Sequence, residues 1–164
     1  MAELLKSKFS QILIYFYNPN IQPEEEYEKR KESAEKLAEI YHLEFEEGEY
    51  EPKKWFEKIK GFENEPEGGR RCPICFEMRL RKTVELARER GFEYFSTTLA
   101  VSPYKNEKII DELGQKIAAE FNLKFLNLKD FDGNKKELWQ KTRELAKKHG
   151  FYHQKYCGCI FSQK

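Results

Sequence analysis

The chain has 164 residues with a formal net charge of +1, and 39% of its residues are hydrophobic and 15% aromatic. This length and composition suit one domain with its own core, so residues 1–164 are expected to form a single domain. No apolar run approaches the roughly 18 residues of a transmembrane helix, and no secretion signal is recognisable at the N-terminus, so the sequence predicts a cytoplasmic protein without a membrane partner.

Strands and helices are predicted to alternate along the chain. Apolar or alternating stretches predict strands over residues 11–18, 43–50, 92–101 and 123–128. Helical spacing predicts helices over residues 24–42, 52–61, 72–91 and 135–150, with a loop and a helix over residues 102–122. This order predicts a three-layer, Rossmann-like α/β fold with helices flanking a mostly parallel sheet. Ligands of such folds bind at the carboxyl ends of the strands.

All four cysteines lie in two short motifs. Cys72 and Cys75 belong to CPIC at the start of a predicted helix, and Cys157 and Cys159 to CGC in an irregular C-terminal segment. In a reducing cytoplasm, closely spaced cysteines are more often metal ligands or redox catalysts than structural disulfides. At the CPIC motif, the helix N-terminal amides and the preceding arginines are expected to lower the thiol pKa values.

The spacing of the cysteines leaves more than one interpretation open. A thioredoxin-like redox pair is disfavoured, because CPIC does not directly follow a first strand. A closed four-cysteine zinc site is possible with this spacing, and so is an iron–sulfur or other redox metal site. Oxidation of a C-x-C pair closes a strained ring, and strained disulfides are readily reduced.

Basic residues concentrate beside both cysteine motifs. Residues 70–90 carry seven Lys or Arg against three Glu, and residues 135–155 carry seven against two, whereas residues 22–67 carry eight against 16 Glu. A polyanion such as RNA near the cysteines fits this asymmetry, and solvated helix faces are the alternative explanation. Arg70 and Arg71 are predicted to bind substrate.

The loop STTLAVSPYKN, residues 96–106, is a second candidate binding segment. Thr97, Thr98, Ser102 and Lys105 are predicted to bind substrate, because the loop follows a predicted strand at the ligand-bearing edge of the sheet. The alternative is turn and cap chemistry around the proline of this loop. We expect the loop and both cysteine pairs to converge on one pocket.

Several long segments resemble the QueH family of epoxyqueuosine reductases. They are FYNPNIQPEEEYEKR (16–30), EPEGGRRCPICFEMRLRKT (65–83), FSTTLAVSPYKN (95–106) and YHQKYCGCIFS (152–162), in the order of that family. The resemblance implies an enzyme of the last step of queuosine biosynthesis, which reduces epoxyqueuosine to queuosine in the anticodon wobble position of tRNA. Its partners would be that tRNA and an electron donor.

The resemblance also implies cofactors and residue roles. Cys72 and Cys75 would be ligands of a [4Fe–4S] cluster, with iron expected as a second metal ion nearby. Cys157 and Cys159 would be a catalytic pair, either as a redox-active disulfide or as metal ligands. The alternative function is a non-catalytic, zinc-binding RNA module in which all four cysteines close a structural site.

The sequence departs from the family pattern at its N-terminal side. Members of the family begin with a strand that carries an adjacent Cys-Cys pair, and this sequence has no such segment. Only two cluster ligands are therefore matched. The fold is expected to be incomplete at this side, with an unpaired strand edge and exposed apolar surface.

Overall fold

Short parallel strands and α-helices alternate in the computed structural model, which describes residues 5–131 and 134–163. The strands of this part are β1 (Leu13–Phe16), β2 (Glu44–Glu47), β3 (Tyr94–Ser96) and β4 (Lys124–Leu126). The helices are α1 (Glu24–Tyr41), α2 (Pro52–Lys58), α3 (Arg71–Glu89), α4 (Glu107–Phe121) and α5 (Lys135–His149). Single 3₁₀ turns cover Leu99–Val101, Leu128–Asp130 and Ile160–Ser162. The predicted α/β class is confirmed.

The strands form two separate parallel pairs instead of one sheet. Strand β1 pairs with β2, with Leu13 opposite Glu44, and β3 pairs with β4, with Tyr94 opposite Lys124. No backbone ladder joins the two pairs among the described residues. Residues of β1 and β3 instead line a common cavity. In the part of the chain that the structure describes, each of these two strands therefore has one edge without a strand partner.

The predicted strands after α3 and α4 are shorter than their apolar runs. Residues 92–101 were predicted as one strand, but the strand ends at Ser96 and a 3₁₀ turn follows at Leu99–Val101. The side chain of Ser96 donates to the carbonyl of Leu126 at 2.8 Å, which joins the two strand ends. The chain therefore bends at the carboxyl end of β3, and the following loop turns toward the cavity.

The largest core cluster packs α3 and α4 against the second strand pair. Val84 of α3 and Ile110 and Ile117 of α4 have no exposed surface. Helix α4 approaches β4 closely because residue 114 is glycine, where a Cβ atom would lie 2.5 Å from the ring of Phe125. This packing fixes the position of α3, whose first turns carry the CPIC motif. In the described part of the chain, no helix combines the length and apolar character needed to cross a membrane.

Candidate active site

A cavity of about 2520 Å³ gathers almost all of the predicted site residues. Arg70 lies outside its lining. The residues that do line it are Cys72, Cys75, Cys157, Cys159, Arg71, Thr97, Thr98, Ser102 and Lys105. The structure thus brings the CPIC motif, the CGC motif and the loop after β3 to one place, as expected.

The CPIC motif occupies the first two turns of α3. Helix α3 begins at Arg71, so Cys72 lies in its first turn, where the backbone N–H of Gly68 donates to the Cys72 sulfur at 3.2 Å. Cys75, farther along the helix, packs in one apolar cluster with Cys157 and Cys159. The predicted convergence of the two motifs is confirmed by this contact.

The CGC turn is held by the loop that follows β1. Gly158 has a φ of +96°, and a Cβ atom there would lie 2.7 Å from Ile21 Cγ1 and 3.0 Å from Arg30 Nη1. Its carbonyl accepts a hydrogen bond from the backbone N–H of Gln22 at 2.8 Å. Because the backbone conformation and the lack of space both require glycine, residue 158 sets the geometry of the cysteines on either side.

Cys157 has the chemistry of a thiolate. Its pKa is lowered to about 5 by a hydrogen bond from the Cys159 thiol, with further lowering by the Lys105 ammonium and by Ser162. The Ser162 hydroxyl oxygen lies 2.9 Å from the Cys157 sulfur. The same hydrogen bond, together with burial, raises the pKa of Cys159. The pair therefore combines one nucleophilic thiolate with one thiol that holds a proton.

Cys75 departs from the expectation that the CPIC thiols have lowered pKa values. Burial raises the pKa of Cys75 and outweighs the opposing effect of the Arg79 charge. The sequence pattern placed Cys75 near a helix N-terminus and two arginines, but it did not show that the thiol is desolvated.

Arg79 is a cation of the site that the sequence analysis missed. It lies four residues after Cys75 on α3 and lines the cavity, and it interacts electrostatically with Cys75 and Cys157. No carboxylate of the described residues pairs with it. Its spacing from Cys75 could have signalled it, since residues four apart share a helix face. The position of Ser162 had no such signal.

The predicted substrate-binding residues differ in the roles that their contacts allow. Arg71 is buried, and its Nη1 donates to the carbonyls of Phe62, Glu63 and Glu65 at 3.0, 3.0 and 2.7 Å. Lys105 is only 11% exposed and pairs with Glu67 at 2.7 Å. Arg71 thus supports the loop before α3, while Lys105 places a charge beside the cysteines. Substrate contact by either residue stays a prediction.

The hydroxyl groups of the loop after β3 take part in turn and cap contacts. Thr97 Oγ1 accepts from the backbone N–H of Leu99 at 3.3 Å, and Ser102 Oγ accepts from that of Tyr104 at 3.3 Å. These contacts match the alternative of turn chemistry, although both residues also line the cavity. Their predicted contact with substrate is not tested by them.

Unpaired polar atoms are concentrated around the cavity. Asn20 Oδ1, Trp55 Nε1 and Arg71 Nε are buried without a hydrogen-bond partner in the described part of the chain, and all three residues line the cavity. Buried polar atoms in proteins nearly always have a partner. Two of these atoms are donors, which suits an acceptor such as a sulfide, a thiolate or an oxygen of a bound ligand.

The described residues do not form a complete ligand set for a single metal ion. Among the described residues, no three His, Cys, Asp or Glu side chains lie close enough together to hold one metal ion. A closed four-cysteine zinc site is therefore not formed by these residues. The thiols of Cys72 and Cys75 remain available as a pair of ligands at the start of α3.

Closely placed thiols inside an α/β cavity are typical of redox enzymes, so the geometry of this site suits an oxidoreductase. Comparison with protein families is more specific. The profile described as Epoxyqueuosine reductase QueH matches residues 1–164, and the chain belongs to this family.

Curated relatives agree with this assignment. The chain is 43% identical over 151 residues to "Epoxyqueuosine reductase QueH" of Thermotoga maritima, with 90% of this chain and 77% of the relative covered. It is 40% identical over 149 residues to the protein of that name from Acinetobacter baylyi, with 91% and 67% covered. For the Haemophilus influenzae protein, the identity is 38% over 162 residues, with 99% and 65% covered.

Proposed function

We propose that this protein reduces epoxyqueuosine in tRNA to queuosine. The observation that carries the proposal is the meeting of the two cysteine motifs in one cavity, in a chain whose relatives are named epoxyqueuosine reductases. The reaction removes the epoxide oxygen as water and leaves an alkene. It therefore consumes two electrons and two protons.

The Cys157–Cys159 pair can supply both electrons and one of the two protons. As a thiolate and a thiol it would form one S–S bond while the two C–O bonds of the epoxide break, and the oxygen would leave as water with the Cys159 proton and a second proton from solvent. The lowered pKa of Cys157 provides the thiolate, and the raised pKa of Cys159 keeps a proton next to it. The resulting C-x-C disulfide is strained, so an external donor can reduce it again.

The cavity residues fit an iron–sulfur cluster in part. A [4Fe–4S] cluster takes four cysteine thiolates, and Cys72 and Cys75 would supply two of them at a helix N-terminus. The unpaired N–H groups of Trp55 and Arg71 suit hydrogen bonds to cluster sulfides. When bound, the cluster would relay single electrons, and a neighbouring iron ion would polarise the epoxide oxygen. Two ligand positions of the cluster are left for other groups.

The charge of the cavity favours a polyanionic substrate. Nine Lys or Arg residues line it against five Glu. An anticodon loop brings several phosphates close to the modified nucleoside, so this excess of positive charge suits tRNA. Among the predicted contacts, Lys105 places a charge that interacts with both Cys72 and Cys157.

The proposal is tested with tRNA that carries epoxyqueuosine, under anaerobic conditions with a chemical reductant. We expect nucleoside mass spectrometry to show loss of one oxygen atom from the modified nucleoside, and Cys157→Ser to abolish it. In a single turnover without reductant, labelling should show that Cys157 and Cys159 have lost their free thiols. If the product forms while both stay free, the dithiol route is excluded. If the tRNA is never reduced, the function itself is wrong.

The zinc-binding RNA module is the less favoured candidate. It needs four cysteines around one ion, which the described residues do not provide. Metal analysis after anaerobic purification separates the candidates, since the module should hold one zinc ion per chain and the reductase iron with sulfide.

A further inference from the structure

Tyr104 is an exposed aromatic residue at the edge of the cysteine cavity. Its side chain is 77% exposed, whereas the other exposed large hydrophobic residues of the described chain reach 43% at most. Among the described residues, the Tyr104 ring has no aromatic or cation–π contact and its hydroxyl has no hydrogen bond. The Tyr104 ring therefore contributes little to the stability of the fold and is free to contact a ligand.

The backbone beneath this ring is firmly held. The N–H of Tyr104 donates to Ser102 Oγ at 3.3 Å, and the N–H of Lys105 donates to the carbonyl of Ser102 at 3.3 Å. The ammonium of Lys105 pairs with Glu67 at 2.7 Å, and Lys135 of α5 donates to the carbonyl of Lys105 at 3.2 Å. These contacts tie the loop to α5 and to the segment before α3. The backbone that carries the Tyr104 ring is therefore fixed in position.

The position of Tyr104 links it to the chemistry. Tyr104 lines the large cavity together with Cys72 and Lys105, and the same three residues line a small crevice of about 10 Å³ beside it. Lys105 interacts electrostatically with Cys72 and Cys157. A planar group resting on the Tyr104 ring would thus lie next to whatever the thiols act on.

The charges around Tyr104 favour RNA as the partner of this ring. Lys105 belongs to the loop and Lys135 donates to its carbonyl, while Lys136 lines the same cavity. Glu67 and Glu107 pair with Lys105 and Lys135, and no ion pair of Lys136 is present among the described residues. A free aromatic ring beside cations is the arrangement with which proteins bind single-stranded nucleic acid, where the ring stacks on a base and the cations contact phosphates.

We propose that Tyr104 is a stacking platform for the nucleobase that neighbours the modified nucleoside in the anticodon loop. This inference rests on the proposed function. Enzymes that act on a base commonly take it out of its stack, which leaves the neighbouring base without its stacking partner. The Tyr104 ring replaces that partner at the mouth of the cavity. Tyr104 is thus a binding residue, and it takes no part in the electron transfer.

The test uses an anticodon stem-loop RNA in which 2-aminopurine replaces, in turn, the base on the 5′ and the 3′ side of the wobble nucleotide. Stacking on an aromatic ring quenches the fluorescence of 2-aminopurine. We expect binding of the full chain to quench one of the two probes, and Tyr104→Phe to behave in the same way. Tyr104→Leu should abolish this quenching and weaken binding by between about five- and 100-fold, as for one stacked base.

Phe56→Leu is the matched control, because Phe56 is also an exposed aromatic residue but lies outside the cavity lining. It should leave quenching and affinity unchanged. If Tyr104→Leu binds and quenches like the original chain, the stacking role is overturned while tRNA binding stands. If the original chain fails to bind either stem-loop, the proposed function and the stacking role both fall.

Discussion

The hydroxyl oxygen of Ser162 lies 2.9 Å from the Cys157 sulfur and 2.8 Å from the carbonyl oxygen of Cys159. A hydroxyl has one proton, so it donates fully to only one of these acceptors. When Cys157 is a thiol, it donates to Ser162, and Ser162 donates to the carbonyl. When Cys157 is a thiolate, the hydroxyl can turn its proton to the sulfur. Ser162 thus supports both protonation states of Cys157.

The first prediction concerns the reactivity of the thiols in the metal-free protein. The pKa of Cys157 is about 5, so its alkylation by iodoacetamide should rise as the pH rises through about 5 and be constant from about pH 7. An ordinary thiol continues to gain reactivity above pH 8. Cys75 and Cys159, whose pKa values are raised, should react far more slowly at pH 6. Peptide mass spectrometry at each pH measures this, and equal labelling of all these thiols at pH 6 would contradict it.

Removal of the Ser162 hydroxyl should raise the pKa of Cys157. A hydrogen bond to a charged group contributes about 1.5–3 kcal/mol, so Ser162→Ala should move the midpoint of the alkylation profile upward by about one to two pH units. Ser162→Thr keeps the hydroxyl and should restore a midpoint near the original. An unchanged midpoint in Ser162→Ala would show that Cys159 and Lys105 alone hold the thiolate.

Arg79 should lower the stability of the fold and increase the reactivity of the Cys157 thiol. It is a partly buried cation without a carboxylate partner in the described chain, and burial lowers its pKa. Arg79→Leu should therefore raise the thermal midpoint of the metal-free protein, by about 2–4 °C for each kcal/mol gained. It should also slow alkylation of Cys157 at pH 5, whereas Arg79→Lys should keep most of the rate. If Arg79→Leu has a lower thermal midpoint and unchanged Cys157 reactivity, Arg79 stabilises the fold by packing and does not act on the thiols.

The alternation of strands and helices was readable from the sequence because it is a local property. The apolar run around Leu13–Phe16 and the helical spacing of Glu24–Tyr41 each mark one element without reference to the rest of the chain. The sequence predicted one mostly parallel sheet with an unpaired edge, and the split into two strand pairs was not predicted. Strand pairing depends on segments that are distant in sequence, and the periodicity of one segment does not identify its partners.

The residues that meet in the candidate site were predictable, but the electrostatics of the site were not. Residue types and spacing pointed to the cysteines, and loop position pointed to Lys105. The pKa of Cys75 depends on burial by Trp55 and neighbouring side chains, which only the fold reveals. Likewise, Arg71 and Arg70 are adjacent in sequence, yet Arg71 is buried and Arg70 has a side chain that is 76% exposed.

Gly158→Ala should destabilise the protein and disturb the cysteines beside it. The new Cβ atom would meet Ile21 and Arg30, and the residue would keep a positive φ. Together these effects should lower the free energy of unfolding by about 2–4 kcal/mol. Gly150→Ala is the matched control, because Gly150 has a φ of +64° with no atom within 4 Å of the new Cβ, and it should cost only about 1 kcal/mol. Urea unfolding measures the free energy of unfolding of both variants. Equal losses of this free energy would show that crowding at the CGC turn is unimportant.

Two faces of helix α5 should contribute differently to tRNA binding. Arg143 and Lys147 line the cavity, whereas Lys141 and Lys148 are exposed outside it. Neutralising Arg143 and Lys147 with Gln should weaken binding and reduce the slope of log affinity against log salt by up to about two, because each lost phosphate contact removes about 0.7–0.9. The same change at Lys141 and Lys148 alters net charge equally but should leave most of the slope in place. Filter binding from low to moderate salt compares the two double variants. Equal losses would mean that only the total charge matters and that the cavity face makes no phosphate contacts of its own.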